Sequence, residues 1–140
     1  MRRSGVKGER KLSALLRDMR PQLAMPVYVF CTFATGTLHD ELEAICLFKE
    51  REGLTAIIEK SAAEHHGVAY TFESRLITLT VHSDLAAIGF FDSVCAALAN
   101  AGIACNAVSA YFHDHLFVPA DRADDAMRLL SALSAEAASD

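Results

Sequence analysis

Between Leu76 and Leu133 the chain alternates between two hydrophobic periods, and the order in which they come leaves few architectures open. Leu76 to His82 sets Ile77, Leu79 and Val81 against Thr78, Thr80 and His82, the period of a strand with one oily and one more polar face. Phe91, Val94, Cys95, Leu98 and Ala99 then recur at helical spacing until Gly102 stops the run. Ile103 to Phe112 predicts a long strand and Leu116 to Pro119 a short one. Asp121 is placed to cap a last helix, with Asp124 and Asp125 in its first turn and Ala126, Leu129, Leu130 and Leu133 on its inner face. Strand, helix, strand, strand, helix predicts an α+β sandwich, an antiparallel sheet with helices on one face. On this reading Leu76–His82 and Ile103–Phe112 are neighbouring strands, with Phe91 and Leu98 buried beneath them.

The first half is less regular. Leu12, Leu15, Leu16, Met19 and Leu23 form one narrow apolar stripe, which predicts a helix ending near Pro21. Val27 to Phe33 carries β-branched and aromatic residues on both faces and reads as an interior strand; Ala34 to Glu43 reads as a loop. Ala44–Lys49 and Leu54–Glu59 flank Glu50-Arg51-Glu52-Gly53 as a hairpin, with helix as the alternative for that stretch. Ser61 can cap a short helix through His66, closed by Gly67; two histidines in a last turn suit the helix dipole. No Pro-, Gly- or Ser-rich linker separates Tyr70 from Leu76, so the halves are expected to share one rigid sheet or a direct strand crossing.

With 140 residues the chain is long enough for one real core and too short for a large barrel enzyme. Its net charge of −5 divides unevenly: the first 20 residues carry seven Lys or Arg and two acids, the rest six bases and sixteen acids. An acidic body repels nucleic acid, and the basic arm reads as solvated terminal charge. A mitochondrial presequence is the other reading of Arg2, Arg3, Ser4 and Arg10, opposed by Glu9 and Asp18. The longest apolar run, Leu85 to Phe91, falls well short of the roughly 18 residues of a membrane span. Cys31, Cys46, Cys95 and Cys105 form no CxxC and read as buried thiols of a cytoplasmic protein.

Catalytic patterns are sparse. His113-Asp114-His115 would present both imidazoles to one side of an extended strand, where His82 or Asp114 could complete a metal site; in a turn the rings diverge and the cluster is structural. Ser83 and Ser109 lack a nucleophile-elbow context, no cysteine has a histidine beside it, and no Gly-rich phosphate loop is present. The residues call for no cofactor. The stretch Ser83-Asp84-Leu85-Ala86-Ala87-Ile88-Gly89 is more informative, because a strand-to-helix junction presents backbone N–H groups and a positive dipole end to a carboxylate. Asp84 either caps those groups or attracts a ligand ammonium.

Gly89-Phe90-Phe91, Val94, Leu98-Ala99, Ala101-Gly102-Ile103 and Asn106, with Ile77–Ser83 and Tyr111–Pro119 around them, resemble the ACT-domain pattern of small stand-alone bacterial proteins. The resemblance covers residues 75 to 133 well and the first half loosely. It implies two ferredoxin-like βαββαβ repeats: a basic helical arm over 1–26, a degenerate ACT-like half over 27–73 and an ACT domain over 74–140. It further implies a non-catalytic regulatory or sensor protein that binds a small metabolite, an amino acid, at an interface between paired domains, as within a homodimer. Carried over, the ligand positions are Ser83, Asp84, Ala87, Ile88, Gly89 and Phe90, with Asn106 and Val108 across from them. The chain departs from the pattern in having no Pro before Gly89 and no final strand. Two other classes stand beside this one: a metal-dependent enzyme using His82, His113 and His115, and a ligand-free pairing module.

Overall fold

The computed structural model describes residues 8–139. The first seven residues of the basic arm, including Arg2, Arg3 and Ser4, lie outside the described residues. Helix α1 (Leu12–Asp18) buries Leu15 and is followed by the fully buried Met19. It does not reach Leu23. Proline lacks an N–H and its ring clashes with the carbonyl four residues back, so Pro21 ends the helical path and opens strand β1 (Pro21–Phe33). Leu23 still packs on the same apolar cluster, now from a strand, which is why a helical period extended to it. The strand therefore begins inside the segment assigned to the arm.

The rest of the chain runs β2 (Ala44–Lys49), β3 (Leu54–Glu59), α2 (Lys60–His65), β4 (Thr71–Leu79), α3 (Phe90–Asn100), β5 (Asn106–Ser109), β6 (Asp114–Pro119) and α4 (Ala123–Ser139). All six strands form one sheet in the order β2-β3-β1-β4-β6-β5, and every pairing is antiparallel. Connectivity and order repeat. The sequence β1-β2-β3-α2 corresponds to β4-β5-β6-α4, and the two sets meet in mirror order along the β1–β4 pair. Where the second unit has α3, the first has the loop 34–43. The α+β, ferredoxin-like reading with two repeats holds, as does the hairpin at 50–53, where Glu50 and Gly53 exchange both backbone hydrogen bonds.

Three details of the second unit differ from expectation. The strand read as 76–82 is β4, shifted to 71–79, and the long strand read over 103–112 is the short edge strand β5. β6 lies between them, because Ala110 donates to the His113 carbonyl and folds the chain back before it can extend. Helix α3 is also rotated by one residue. Phe90, Val94 and Leu98 are its buried face, whereas Phe91 is 39% exposed. With Gly89 at φ +90° the chain enters the helix so that the first of the two phenylalanines points inward.

On one face of the sheet, α1, α3 and α4 enclose Ile77, Leu79, Leu116 and Val118, while Val29, Cys31, Ala56 and Ile58 pack with Leu42 and Ala63 in the first unit. The other face gathers Ile57, Leu76 and Phe117 with Tyr28, Phe30 and Phe72, and among the described residues no helix residue joins that cluster. Phe30 meets Phe72 and Phe117 edge to face at centroid distances of 5.7 and 5.6 Å, a geometry worth about 0.5–1.5 kcal/mol per pair beyond area burial. No helix among the described residues is long and apolar enough to cross a membrane.

Candidate ligand cleft at the β4–α3 junction

After β4 the backbone leaves the sheet and crosses to α3 through residues 80–89. Three tethers hold this crossing. The Ser83 amide donates to the Phe112 carbonyl at 3.2 Å, the Ala87 amide to the Asp84 carbonyl at 2.9 Å, and the Ala86 amide to Asp84 Oδ1 at 2.8 Å. The last is the local turn expected of an Asp at this place. From the other side the segment 8–10 lies along it: Glu9 bridges Ser83 in parallel, donating to the His82 carbonyl at 2.7 Å and accepting from the Asp84 amide at 2.9 Å. Arg10 Nε stands 3.3 Å from Asp84 Oδ1.

A small cleft of about 50 Å³ opens here, lined by Ser83, Asp84, Leu85, Ala87, Phe90, Phe91, Ser109, Ala110 and Asp114. Asp114 is 6% exposed and accepts the Ser109 hydroxyl at 2.6 Å, which satisfies the carboxylate as burial demands. The N-terminus of α3 has no side-chain cap, and Gly89, in the left-handed region, supplies a carbonyl to Ser93 rather than a side chain to the helix end. The cleft thus sets two carboxylates beside the positive end of an 11-residue helix.

Of the positions expected to bind ligand, Ser83, Asp84, Ala87 and Phe90 line the cleft, Phe90 from the core side. Gly89 adjoins it, and Ile88 points away, 87% exposed. Asn106 and Val108 do not join it. They pair with Phe117 and His115, whose side chains lie on the opposite face of the sheet, and Ser109 and Asp114 take their place. Sequence reasoning missed Ser109 as a site residue and read Asp114 as a metal ligand or a turn residue, because the turn at 110–113 sets their facing register. It also gave no sign that Gly8–Arg10 would reach this loop.

The three histidines of the metal reading do not bring their ligand atoms to one point among the described residues. His82 lies against Phe112 and Tyr111, with ring centroids at 5.0 and 6.5 Å. His115 Nδ1 is 2.9 Å from the Thr78 hydroxyl; burial, with His113 nearby, lowers its pKa against the pull of Asp114. His113 precedes β6 and meets His115 edge to face at 6.2 Å. A larger hollow of about 480 Å³ lies in the first unit, but Glu41, Glu43 and Glu59 in its wall oppose a carboxylate.

Residues 7–75 match one ACT-domain family model and residues 71–132 match a second. The chain belongs to the ACT-domain family. Its two matched domains meet at the start of β4, the element on which the two units of the sheet adjoin. Among solved structures the ACT-domain chain is similar to VC0802 of Vibrio cholerae, a protein of unknown function described as a possible transport protein. The two are 39% identical with a TM-score of 0.79, over 88% of this chain and 95% of that one. Protein Atu0741 of Agrobacterium tumefaciens is 16% identical with a TM-score of 0.66, covering 81% of this chain and 87% of that one. The ligand-free regulatory subunit of aspartate kinase from Thermus thermophilus shares the fold at 9% identity and a TM-score of 0.61, over 81% and 95% of the two chains. No curated protein sequence matches significantly.

Proposed function

We propose that this ACT-domain chain is a non-catalytic, cytoplasmic regulatory protein that binds an amino acid at the β4–α3 cleft, its two ACT-like units being the one that β1 opens and the one that β4 opens. The observation that carries this reading is the uncapped N-terminus of α3 beside Asp84 and Asp114. A zwitterion has one end for each: its carboxylate suits the helix end and its ammonium suits the carboxylates. The regulatory subunit of aspartate kinase, of the same fold, supports a regulatory role.

A cleft of about 50 Å³ is the share of one or two water molecules, so it seats the charged end of a ligand and leaves the rest outside. A second copy of the chain is then the natural cover for the remainder, with exposed Leu85 and Phe91 around the mouth. Calorimetric titration with the twenty amino acids tests the reading. One of them is expected to bind the wild type and to fail with Gly89→Val, because a β-branched residue does not hold the φ of +90° that sets the backbone at the helix entrance. Binding by a folded Gly89→Val protein at unchanged affinity removes this loop from the site, and heat from none of the twenty removes the ligand class.

A further inference from the structure

In the first unit the loop 34–43 and the end of α2 bring three metal-ligating side chains together. The ligand atoms of His39, Glu41 and His66 all lie within 4.8 Å of one another. His66 Nδ1 is 3.7 Å from Glu41 Oε2, and the His39 and His66 rings are 5.6 Å apart between centroids. We propose that His39, Glu41 and His66 bind a divalent transition-metal ion, zinc by preference, which ties the loop 34–43 to α2.

The backbone that carries these groups is held from both sides. The Leu42 amide donates to the His39 carbonyl at 3.0 Å, and Leu42, 5% exposed, anchors the loop in the same apolar cluster as Ala63 of α2. At the helix end the His66 amide donates to the Ala62 carbonyl and the Val68 amide to that of Ala63, which fixes where His66 leaves the helix. Ligands on one tetrahedral zinc stand about 3.3 Å apart at bond lengths near 2 Å, so modest side-chain rotations close the site. Two imidazoles and one carboxylate suit zinc and its neighbours in the transition series and not magnesium or calcium, which take oxygen ligands. Water completes the shell.

The costs are small. The Glu41 amide donates to His39 Nδ1 at 3.2 Å, and either ring nitrogen of His39 ligates only at the expense of that exposed bond. At His66 the cation takes the place of the proton that the ion pair with Glu41 would otherwise need. There is also a structural reason for a tie at this place. The second unit packs α3 against α4, whereas in the first the loop 34–43 stands where α3 would, leaving α2 without that partner.

The test uses the full chain without a polyhistidine tag, stripped with chelator and titrated with zinc by calorimetry and with cobalt by visible absorption. One equivalent is expected, with d–d bands and no thiolate charge-transfer band, which separates this site from the four cysteines. His39→Ala, Glu41→Ala and His66→Ala should each weaken binding by about tenfold or more, and zinc should raise the melting temperature of the wild type but not of these variants. His65→Ala, exposed and adjacent, should behave as wild type. A variant that loses its fold by circular dichroism is replaced by the corresponding Gln. No binding by the wild type, a thiolate band, or undiminished affinity in the His39→Ala, His66→Ala double variant overturns the proposal.

Discussion

Gly8 and Asp84 meet backbone to backbone: a Cβ placed on Gly8 would lie 2.5 Å from the Asp84 amide nitrogen, with Ser83 and His82 backbone atoms almost as close. Nothing flexible is there to give way. Gly8→Ala is therefore expected to lift the segment 8–10 from the β4–α3 crossing and to cost about 1–3 kcal/mol of stability. Urea unfolding measures the loss, and faster hydrogen exchange at the Asp84 amide locates it. A variant of wild-type stability with that amide still protected would show that the contact is not needed.

The face of the sheet that none of the described helices covers should prove strongly stabilising. Phe117, 2% exposed and met edge to face by Tyr28 and Phe30, sits at its centre. Phe117→Ala is expected to cost about 3–5 kcal/mol, the range of a large buried ring removed. Phe48→Ala, on the edge strand and 67% exposed, should change stability by no more than about 0.5 kcal/mol. Similar midpoints for the two variants in chemical denaturation would contradict this picture.

What the sequence showed and what it hid follow from the range of the contacts involved. The 44–59 hairpin and the stop of α2 at Gly67 are local, and each is legible in a few residues. The α3 phase was not, since two adjacent phenylalanines satisfy either rotation and only the backbone at Gly89 chooses between them. Leu23 fits a helix and packs where a helix residue would, so only Pro21 betrays the strand. Half of the expected cleft assembled because Ser83 to Phe90 are contiguous. Asn106 and Val108 lie off this cleft because one residue of register in a strand reverses the face. His39 and His66 are far apart in sequence, and no spacing rule brings them together.

His115 gives the protein a dependence on pH. Burial, and then His113, lower its pKa below the ordinary histidine value, so the folded chain takes up this proton at lower pH than the unfolded chain does. Its contribution is complete above about pH 6.5, where the unfolded imidazole is neutral, and is lost as pH falls from there through the lowered folded value. His115→Gln is expected to flatten the decline in urea midpoint between about pH 7 and pH 5. An unaltered slope would assign that decline to other groups.

Cys105 is expected to resist alkylation. Its thiol is pushed up to about 12 by burial and by Cys95 beside it, which leaves almost no thiolate at pH 8. Iodoacetamide followed by peptide mass mapping should find Cys105 unmodified in the native protein and fully modified in urea. Rapid native labelling at this position would mean that the environment between α3 and β5 opens far more readily than the packing implies.

The seam between β1 and β4 joins two units that, as separate chains, would have to find each other by diffusion. Within one chain each unit meets the other at an effective concentration on the order of millimolar, so dilution does not part them. The joint also uses up the inner edge of both units. Among the described residues only β2 and β5 are left with an unpaired row of backbone groups, and a further copy that extends this sheet by hydrogen bonding would do so at those two ends.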